Sequence, residues 1–543
     1  MTSAPPPQPP VAFAAVAAAL PDRTALVEPD GRTLSYGELA ARVHQLAHAL
    51  SDMGLRTGDG VAAILPNSRH YFELRLATGE SGLYFTPISY HLTAPEIAYI
   101  VADCEAKAVV VDESLLGPAE QALDEAGFPA DRRIVVGEAA GWTGYEDLLR
   151  KQPTTPPDPP RAGSVMMYTS GTTGRPKGVR RPLQPGPPQL PPLVRDLMIR
   201  LDVVQDHEIQ LAAAPLYHGA PGVFADAGIN RGHTIVIAHR PTTEEWLQLI
   251  ERHRISVAFA VPTVLHRMLR LPEEVRKRYD TSSLRSFVNG AAPCPAEVKR
   301  AAIDWLGPVV NDFYAATEGP ATAVTAQEWL TKPGTVGRPL SGIEIRIVDS
   351  AKKPLPVGEI GNIYYSPPFP FEYFKDPEKT AEASIDGLFT VGDMGYLDED
   401  GWLFLCDRRT DLIISGGVNV YPAEVEAVLL AHPDVADAAV IGVPDEEWGH
   451  RVTAVVQPEA GVAAGDELAG RLTEHCRTLL AGFKIPRVIT FTEKLPRTPT
   501  GKVLRRELRG AHATGTPATG TPAAETPVTG TPATETPATP LDE

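Results

Sequence analysis

Cysteine is scarce. Cys104, Cys294, Cys406 and Cys476 are the whole complement, and no two stand at metal-ligand spacing, which excludes a zinc-ribbon scaffold and leads us to expect a reducing, cytoplasmic setting. Positive charge is also short: 50 Lys and Arg against 68 Asp and Glu leave a formal net charge of −18. So acidic a body repels phosphate backbones at long range, which excludes nucleic acid as a partner. Any nucleotide must then be held in a local pocket rich in N–H groups. Long hydrophobic runs are missing as well. The one apolar stretch near the start, Val11 to Leu20, is short, rich in alanine and preceded by no Lys or Arg. It is expected to open a helix rather than to serve as a signal peptide or an integral membrane segment.

What is present is an ordinary hydrophobic fraction of 43% spread over 543 residues, too long a chain for one core, so two or more domains are expected. Thr33 to Leu39 followed by an Ala/Leu/Val run to Leu50 reads as strand, N-cap and amphipathic helix. Short apolar runs recur at Val61 to Leu65, Val109 to Asp112, Ile134 to Val136, Thr234 to Ala238, Val257 to Ala260 and Ser286 to Val288, with amphipathic segments between most of them. The fold class is therefore α/β with several layers. Proline density from Pro182 to Leu193 predicts an irregular loop, either a solvated connector or a substrate lid. Strands at Ala436 to Val443, Val452 to Gln457 and Val488 to Phe491, with helices at Ala423 to Leu430 and Glu467 to Leu480, predict a small α/β unit near the end. We divide the chain into a large domain over 1–407, a small domain over 408–510 and a tail over 511–543, with a hinge about 407–411. The tail repeats Thr-Pro every five residues from Gly515 and has too little apolar bulk to fold.

The most informative segment is Tyr168-Thr169-Ser170-Gly171-Thr172-Thr173-Gly174-Arg175-Pro176-Lys177-Gly178-Val179. Its glycines let the backbone approach an anion, its hydroxyls and N–H groups donate to phosphoryl oxygens, and Lys177 counters negative charge. It is not a Walker A loop, because Pro176 stands where that motif has its second glycine. Val165 to Tyr168 is expected to be one apolar strand running into the loop.

This segment resembles the signature loop of the adenylate-forming superfamily, and the likeness extends over roughly residues 20 to 510, with the motifs in the family's order. The resemblance implies a large α/β N-terminal domain with a small mobile α/β C-terminal lid. It also implies activation of a carboxylic acid by ATP to an acyl-adenylate, followed by transfer to a thiol, here that of coenzyme A. Thr169, Ser170, Gly171, Thr172, Thr173, Gly174 and Lys177 would grip the phosphates.

Several further segments match in the same way. Ala214-Pro215-Leu216-Tyr217-His218-Gly219 resembles the acyl-pocket motif, and the small residues Gly219 to Gly222 leave room for a bulky or elongated acyl group. No Asp occurs from Pro215 to Phe224, where a carboxylate would be needed to offset an ammonium, so an amino-acid substrate is disfavoured. Gly290-Ala291-Ala292-Pro293 resembles the adenine-side wall. Asp312 to Gly319 resembles the Tyr-Gly-x-Thr-Glu motif, which implies that Tyr314 stacks on adenine, Thr317 meets the α-phosphate and Glu318 holds Mg²⁺. Ala315 stands in the usual glycine's place, and its methyl is expected to narrow the acyl tunnel or shift the backbone.

By the same resemblance Asp393 accepts the ribose hydroxyls, for which its two oxygens suit a diol, and Arg408 reaches the ribose or phosphates. Thr410 stands at the family's hinge position, with Asp411 beside it. Gly416 and Gly417 line the pantetheine tunnel, Lys484 contacts CoA phosphates, and Lys502 in Leu495 to Val503 bridges carboxylate and α-phosphate during adenylation. The implied partners are a small-molecule acid, ATP and CoA, and the resemblance admits a homodimer. The acid is expected to be hydrophobic, of medium or long chain, with Val261 to Leu265 as part of its wall. An aryl-acid CoA ligase, a ligase that loads a carrier protein, and an inactive nucleotide-binding relative remain alternatives.

Overall fold

The helix Tyr36–Asp52 shows how local sequence builds this molecule. Ser35 Oγ accepts from the Glu38 N–H while the Glu38 carboxylate accepts from the Ser35 N–H, a closed capping box. Leu39, Val43, Leu46 and Leu50 then fall on one buried face. The computed structural model describes residues 12–169, 176–203, 207–367, 369–408, 411–415, 418–445, 448–498 and 501–513. The chain divides into two compact units, the first running through Leu405 and the second beginning at Cys406. The opening apolar stretch is the helix Phe13–Ala19. Among the described residues, no helix is long and apolar enough to cross a membrane.

The first unit holds two largely parallel sheets. One has nine strands, in the order Arg338–Pro339, Gly319–Val324, Val310–Ala316, Ser286–Asn289, Val257–Ala260, Ile209–Ala212, Thr234–Ile237, Thr24–Val27, Thr33–Ser35. Its six central strands are parallel and the pairings at both ends are antiparallel. The other has six parallel strands, in the order Thr143–Gly144, Arg133–Val136, Ala106–Asp112, Gly60–Ile64, Tyr84–Pro87, Ser164–Val165. Central strands such as Val257–Ala260 and Gly60–Ile64 are buried along their whole length, as expected where helices cover both faces. Antiparallel strands, among them Gly361–Tyr365 and Asp393–Leu397, form a further sheet.

Two expectations need correction. Val165 to Tyr168 is not one strand: Ser164–Val165 ends the parallel ladder beside Tyr84–Pro87, and Met167–Thr169 pairs antiparallel with Lys177–Arg180. The buried Met166 lies at the crossing, its N–H still bonded to the Phe85 carbonyl; no Gly or Pro marks the change, since long-range pairing decides it. The proline-rich segment is irregular only as far as Pro191, because Pro192 opens the helix Pro192–Arg200, a first-turn position that needs no N–H from proline.

The second unit is an α/β layer of its own. The long hairpin Val435–Asp445 and Gly449–Pro458 is extended by Val488–Phe491, which runs parallel to its second strand. Helices Pro422–Ala431 and Asp466–Leu479 bury Val425, Leu429, Leu468 and Leu472 with Val440 and Val456. The last helix, Arg505–Ala513, carries three residues beyond the expected start of the tail. Residues 514–543, which include the Thr-Pro repeat, lie outside the described residues.

Candidate active site

The motif residues collect where parallel strands of the nine-stranded sheet end. His218 follows Ile209–Ala212, Gly290 follows Ser286–Asn289, and Thr317 and Glu318 follow Val310–Ala316. In an open parallel sheet, ligands enter the crevice at these carboxyl ends.

A small antiparallel sheet carries Thr169 and Lys177. Lys177 faces Thr169 and Val179 faces Met167 across one edge, and Val179 pairs with Tyr373 across the other. Thr169 and Lys177 are thus the two posts of the loop; Ser170, Gly171, Thr172, Thr173 and Gly174 lie outside the described residues. Lys177 Nζ sits 5.2 Å from the centroid of the Tyr373 ring, a cation–π contact. Burial, with Lys379 nearby, holds its ammonium below the ordinary lysine range.

The same tyrosine reaches the candidate metal ligand. Tyr373 Oη donates to Glu318 Oε1 at 2.6 Å, and Glu318 is only 4% exposed. Arg181 Nη2 donates to the Thr317 carbonyl at 2.6 Å. Burial pushes this guanidinium below its ordinary value while Glu318 opposes the shift. Neither Tyr373 nor Arg181 belongs to a motif used in the sequence reading. The only local signal was that Arg181 follows the loop strand, and Tyr373 has no sequence proximity at all.

Among the described residues no three His, Cys, Asp or Glu side chains gather as a metal cage. The donor chemistry at Glu318 nevertheless fits Mg²⁺, a hard cation bound by one or two carboxylates together with phosphate oxygens: a buried carboxylate gives one oxygen to Tyr373, and its other oxygen has no protein partner among the described residues.

On the nucleoside side, Tyr314 Oη donates to Asp393 Oδ2 at 2.8 Å, so residues 79 apart in the chain meet. The wall Gly290 to Pro293 turns tightly. Ala291 has φ +68°, and a Cβ on Gly290 would stand 2.6 Å from Phe313 Cε1, so only glycine fits against that ring. Behind the wall, Asp312 is held by the Lys299 ammonium and by Asn289 Nδ2. At Ala315, the antiparallel ladder to Gly319–Val324 slips between Tyr314 and Ala315.

His218 and Tyr217 stand beside each other at the start of one helix. His218 is the N-cap residue of the helix Gly219–Ile229, its ring 4.5 Å from that of Tyr217. His218 Nε2 is shut off from solvent without a hydrogen-bond partner among the described residues. Burial, helped by His91, lowers the His218 pKa to about 4, so the imidazole is neutral at pH 7. Phe224, Phe259, Val261 and Phe313 share one apolar cluster, with Ala214, Ala220 and Ala315 against them. Asp226 lies two residues beyond the Asp-free segment Pro215 to Phe224. Its carboxylate is buried, but Arg75 Nε donates to Oδ2 at 2.7 Å, so its charge is already countered.

The remaining motif residues lie in the second unit or at its start. Arg408 closes the strand Leu403–Arg408 with its side chain outside the described residues, as are Thr410, Gly416 and Gly417. Asp411 is engaged by Arg505 at 3.3 Å and Arg509 at 3.0 Å, which fixes it to the last helix. Lys484 Nζ donates to Glu424 Oε1 at 2.6 Å. Lys502 is presented by a short turn, its N–H bonded to Thr498 Oγ1 at 3.1 Å and its carbonyl accepting from the Thr498 N–H at 2.7 Å.

Residues 13–372 match the model of the AMP-binding enzymes and residues 424–502 that of the AMP-binding enzyme C-terminal domain. The chain belongs to the AMP-binding enzyme family. It is 35% identical to a fatty acid–[acyl-carrier-protein] ligase of Streptomyces coeruleorubidus, over 88% of this chain and 92% of that one. It is 36% identical to a feruloyl-CoA synthase of Amycolatopsis sp, over 88% and 94%. Its fold matches an anthranilate CoA ligase solved with anthranoyl-AMP, with a TM-score of 0.83, 26% identity and coverage of 94% and 98%. The protein is an acid–thiol ligase that works through an acyl-adenylate, with ATP and CoA as the co-substrates of its family.

Proposed function

We propose that the chain is an AMP-forming acyl-CoA synthetase for a hydrophobic carboxylic acid, with medium- or long-chain fatty acids as the preferred class and CoA as the acceptor. The observation that carries this reading is the acyl side of the site. It combines a neutral buried imidazole, small residues and aromatic side chains, and the carboxylate of Asp226, on the helix that His218 caps, is already paired with Arg75. A desolvated ammonium would find no counter-charge there, while an alkyl chain would gain about 0.8 kcal/mol per buried methylene.

In the first half-reaction the acid's carboxylate attacks the α-phosphorus of ATP in line and pyrophosphate leaves. Lys177 and the loop 170–174 hold the leaving phosphates, and Thr317 meets the α-phosphate. Tyr314 and Gly290 to Pro293 hold adenine, and Asp393, with Arg408, holds the ribose. Mg²⁺, when bound at Glu318, supplies charge neutralisation on phosphate oxygens. Lys502 bridges the carboxylate and the α-phosphate. In the second half-reaction the CoA thiolate attacks the acyl carbonyl and AMP leaves, with Gly416, Gly417 and Lys484 on the CoA path. The small domain, taken as 408–510, turns about 407–411 between the two steps.

A second reading, an aryl acid in place of a fatty acid, is supported by the feruloyl-CoA synthase among the relatives. One screen separates the two: purified protein with ATP, Mg²⁺ and a panel of acids graded in chain length and ring content, with CoA and a purified carrier protein offered side by side. Turnover rising with alkyl length and requiring CoA is expected. Preference for aryl acids, or for the carrier protein, replaces the fatty-acid or the CoA part of the proposal, and no thioester from any acid ends it.

A further inference from the structure

Side chains alternate along the strand Lys177–Arg180. Lys177 lies over Tyr373, whereas Arg180 is turned into Tyr84 and Phe374, its Cζ 4.5 Å from each ring. Arg181 returns toward the motif residues. Its Nη2 spends a short bond on the Thr317 carbonyl, 2.6 Å away, and its Cζ lies 5.5 Å from the Phe369 ring centroid. Its Nε is shut off from solvent with no hydrogen-bond partner among the described residues. The backbone beneath is pinned as well, since Tyr84 Oη donates to the Arg181 carbonyl at 2.9 Å.

A guanidinium with one donor on a main-chain carbonyl and another buried unmet does little for stability, because desolvation offsets what the single bond gains. As a brace it is well made. The carbonyl it grips belongs to Thr317, at the turn between Val310–Ala316 and Gly319–Val324. The next residue, Glu318, is tied from the other side by Tyr373. Charge-assisted bonds from two separate elements thus clamp adjacent residues of one turn.

We propose that Arg181 is a positioning residue for adenylation, setting the Thr317–Glu318 turn so that Thr317 meets the α-phosphate and Glu318 the cation in register. The proposal rests on the roles given above to Thr317 and Glu318. A misplacement of about 1 Å in such a group costs on the order of 10²-fold in rate.

The test uses the full chain with R181M, R181Q and R181K. Four quantities are read: ATP–pyrophosphate exchange, the KM for ATP, thioester formation from supplied acyl-adenylate, and Tm. R181M is expected to lower the exchange kcat about 10²-fold, with the ATP KM within threefold, thioester formation within twofold and Tm unchanged or higher. R181K, which keeps the charge without the planar fork, is expected to recover at least a tenth of the wild-type kcat. If R181M does not fold, R181Q carries the same expectation. Wild-type exchange kcat in the neutral variants, or an equal fall in both half-reactions, overturns the positioning role while leaving the functional reading in place. Absence of exchange in the wild type overturns both.

Discussion

Lowering the pH from 7 to 5 should destabilise the large unit through His218 in particular. Its imidazole binds a proton at about 4 when folded and near 6.5 when free, because burial penalises the cation and His91 adds to the penalty. Between those values the unfolded chain holds more protons than the folded one, so stability is complete above pH 6.5 and is lost as the pH falls toward 4. The integral over that window is on the order of 3 kcal/mol, of which about 2 kcal/mol falls between pH 7 and pH 5. Other groups titrate in the same range, so the assay is a difference. Urea midpoints of wild type and H218N are measured from pH 7.5 to 4.5, and the pH dependence of one is subtracted from the other. The wild type should lose about 2 kcal/mol more than the variant on going from pH 7 to pH 5. Parallel curves, or a wild-type excess that levels off below pH 6, would show that the imidazole is solvated and the acyl side wet, and would refute the apolar reading of the site.

Two further outcomes follow from the same geometry. Lys502→Ala should lower adenylation by about 10² to 10³-fold, as loss of one preorganised transition-state donor does, while sparing thioester formation from supplied acyl-adenylate; equal loss of both half-reactions, measured by pyrophosphate exchange and thiol consumption, counts against its assignment. Tyr314→Phe removes the 2.8 Å bond to Asp393 and should raise the ATP KM about tenfold, equivalent to about 1.4 kcal/mol, with kcat within twofold. An unchanged KM in steady-state assays would detach the tyrosine hydroxyl from nucleoside binding.

Much of the architecture was legible because its signals are local. Ser35 and Glu38 stand three apart as a capping box demands, and the helix starts there. Apolar runs such as Val257 to Ala260 became fully buried parallel strands because only such a strand uses apolar residues on both faces. The break at Met166 was not legible: the residues on either side suit a strand equally well, and the choice lay with partners at Phe85 and Val179. Asp226 lies two residues beyond Phe224, and its neutralisation by Arg75, 151 residues earlier, exists only once the helices are packed.

The order of motifs along the chain carried the resemblance to the family, and with it the expected roles: a loop for phosphates, a carboxylate suited to a hard cation, an aspartate for a diol and a lysine near the end. Those roles follow from the likeness of the motifs to the family's, which needs no fold to be recognised. Tertiary structure alone decided how those groups are tuned and braced. Tyr373 meets Glu318 across 55 positions, Tyr314 meets Asp393 across 79, and Arg181 meets the Thr317 carbonyl across 136. His218 is neutral because of what buries it. Desolvation and hydrogen-bond partnership depend on which distant segments pack together, and that is set by the long-range pairing of sheets rather than by any window of sequence.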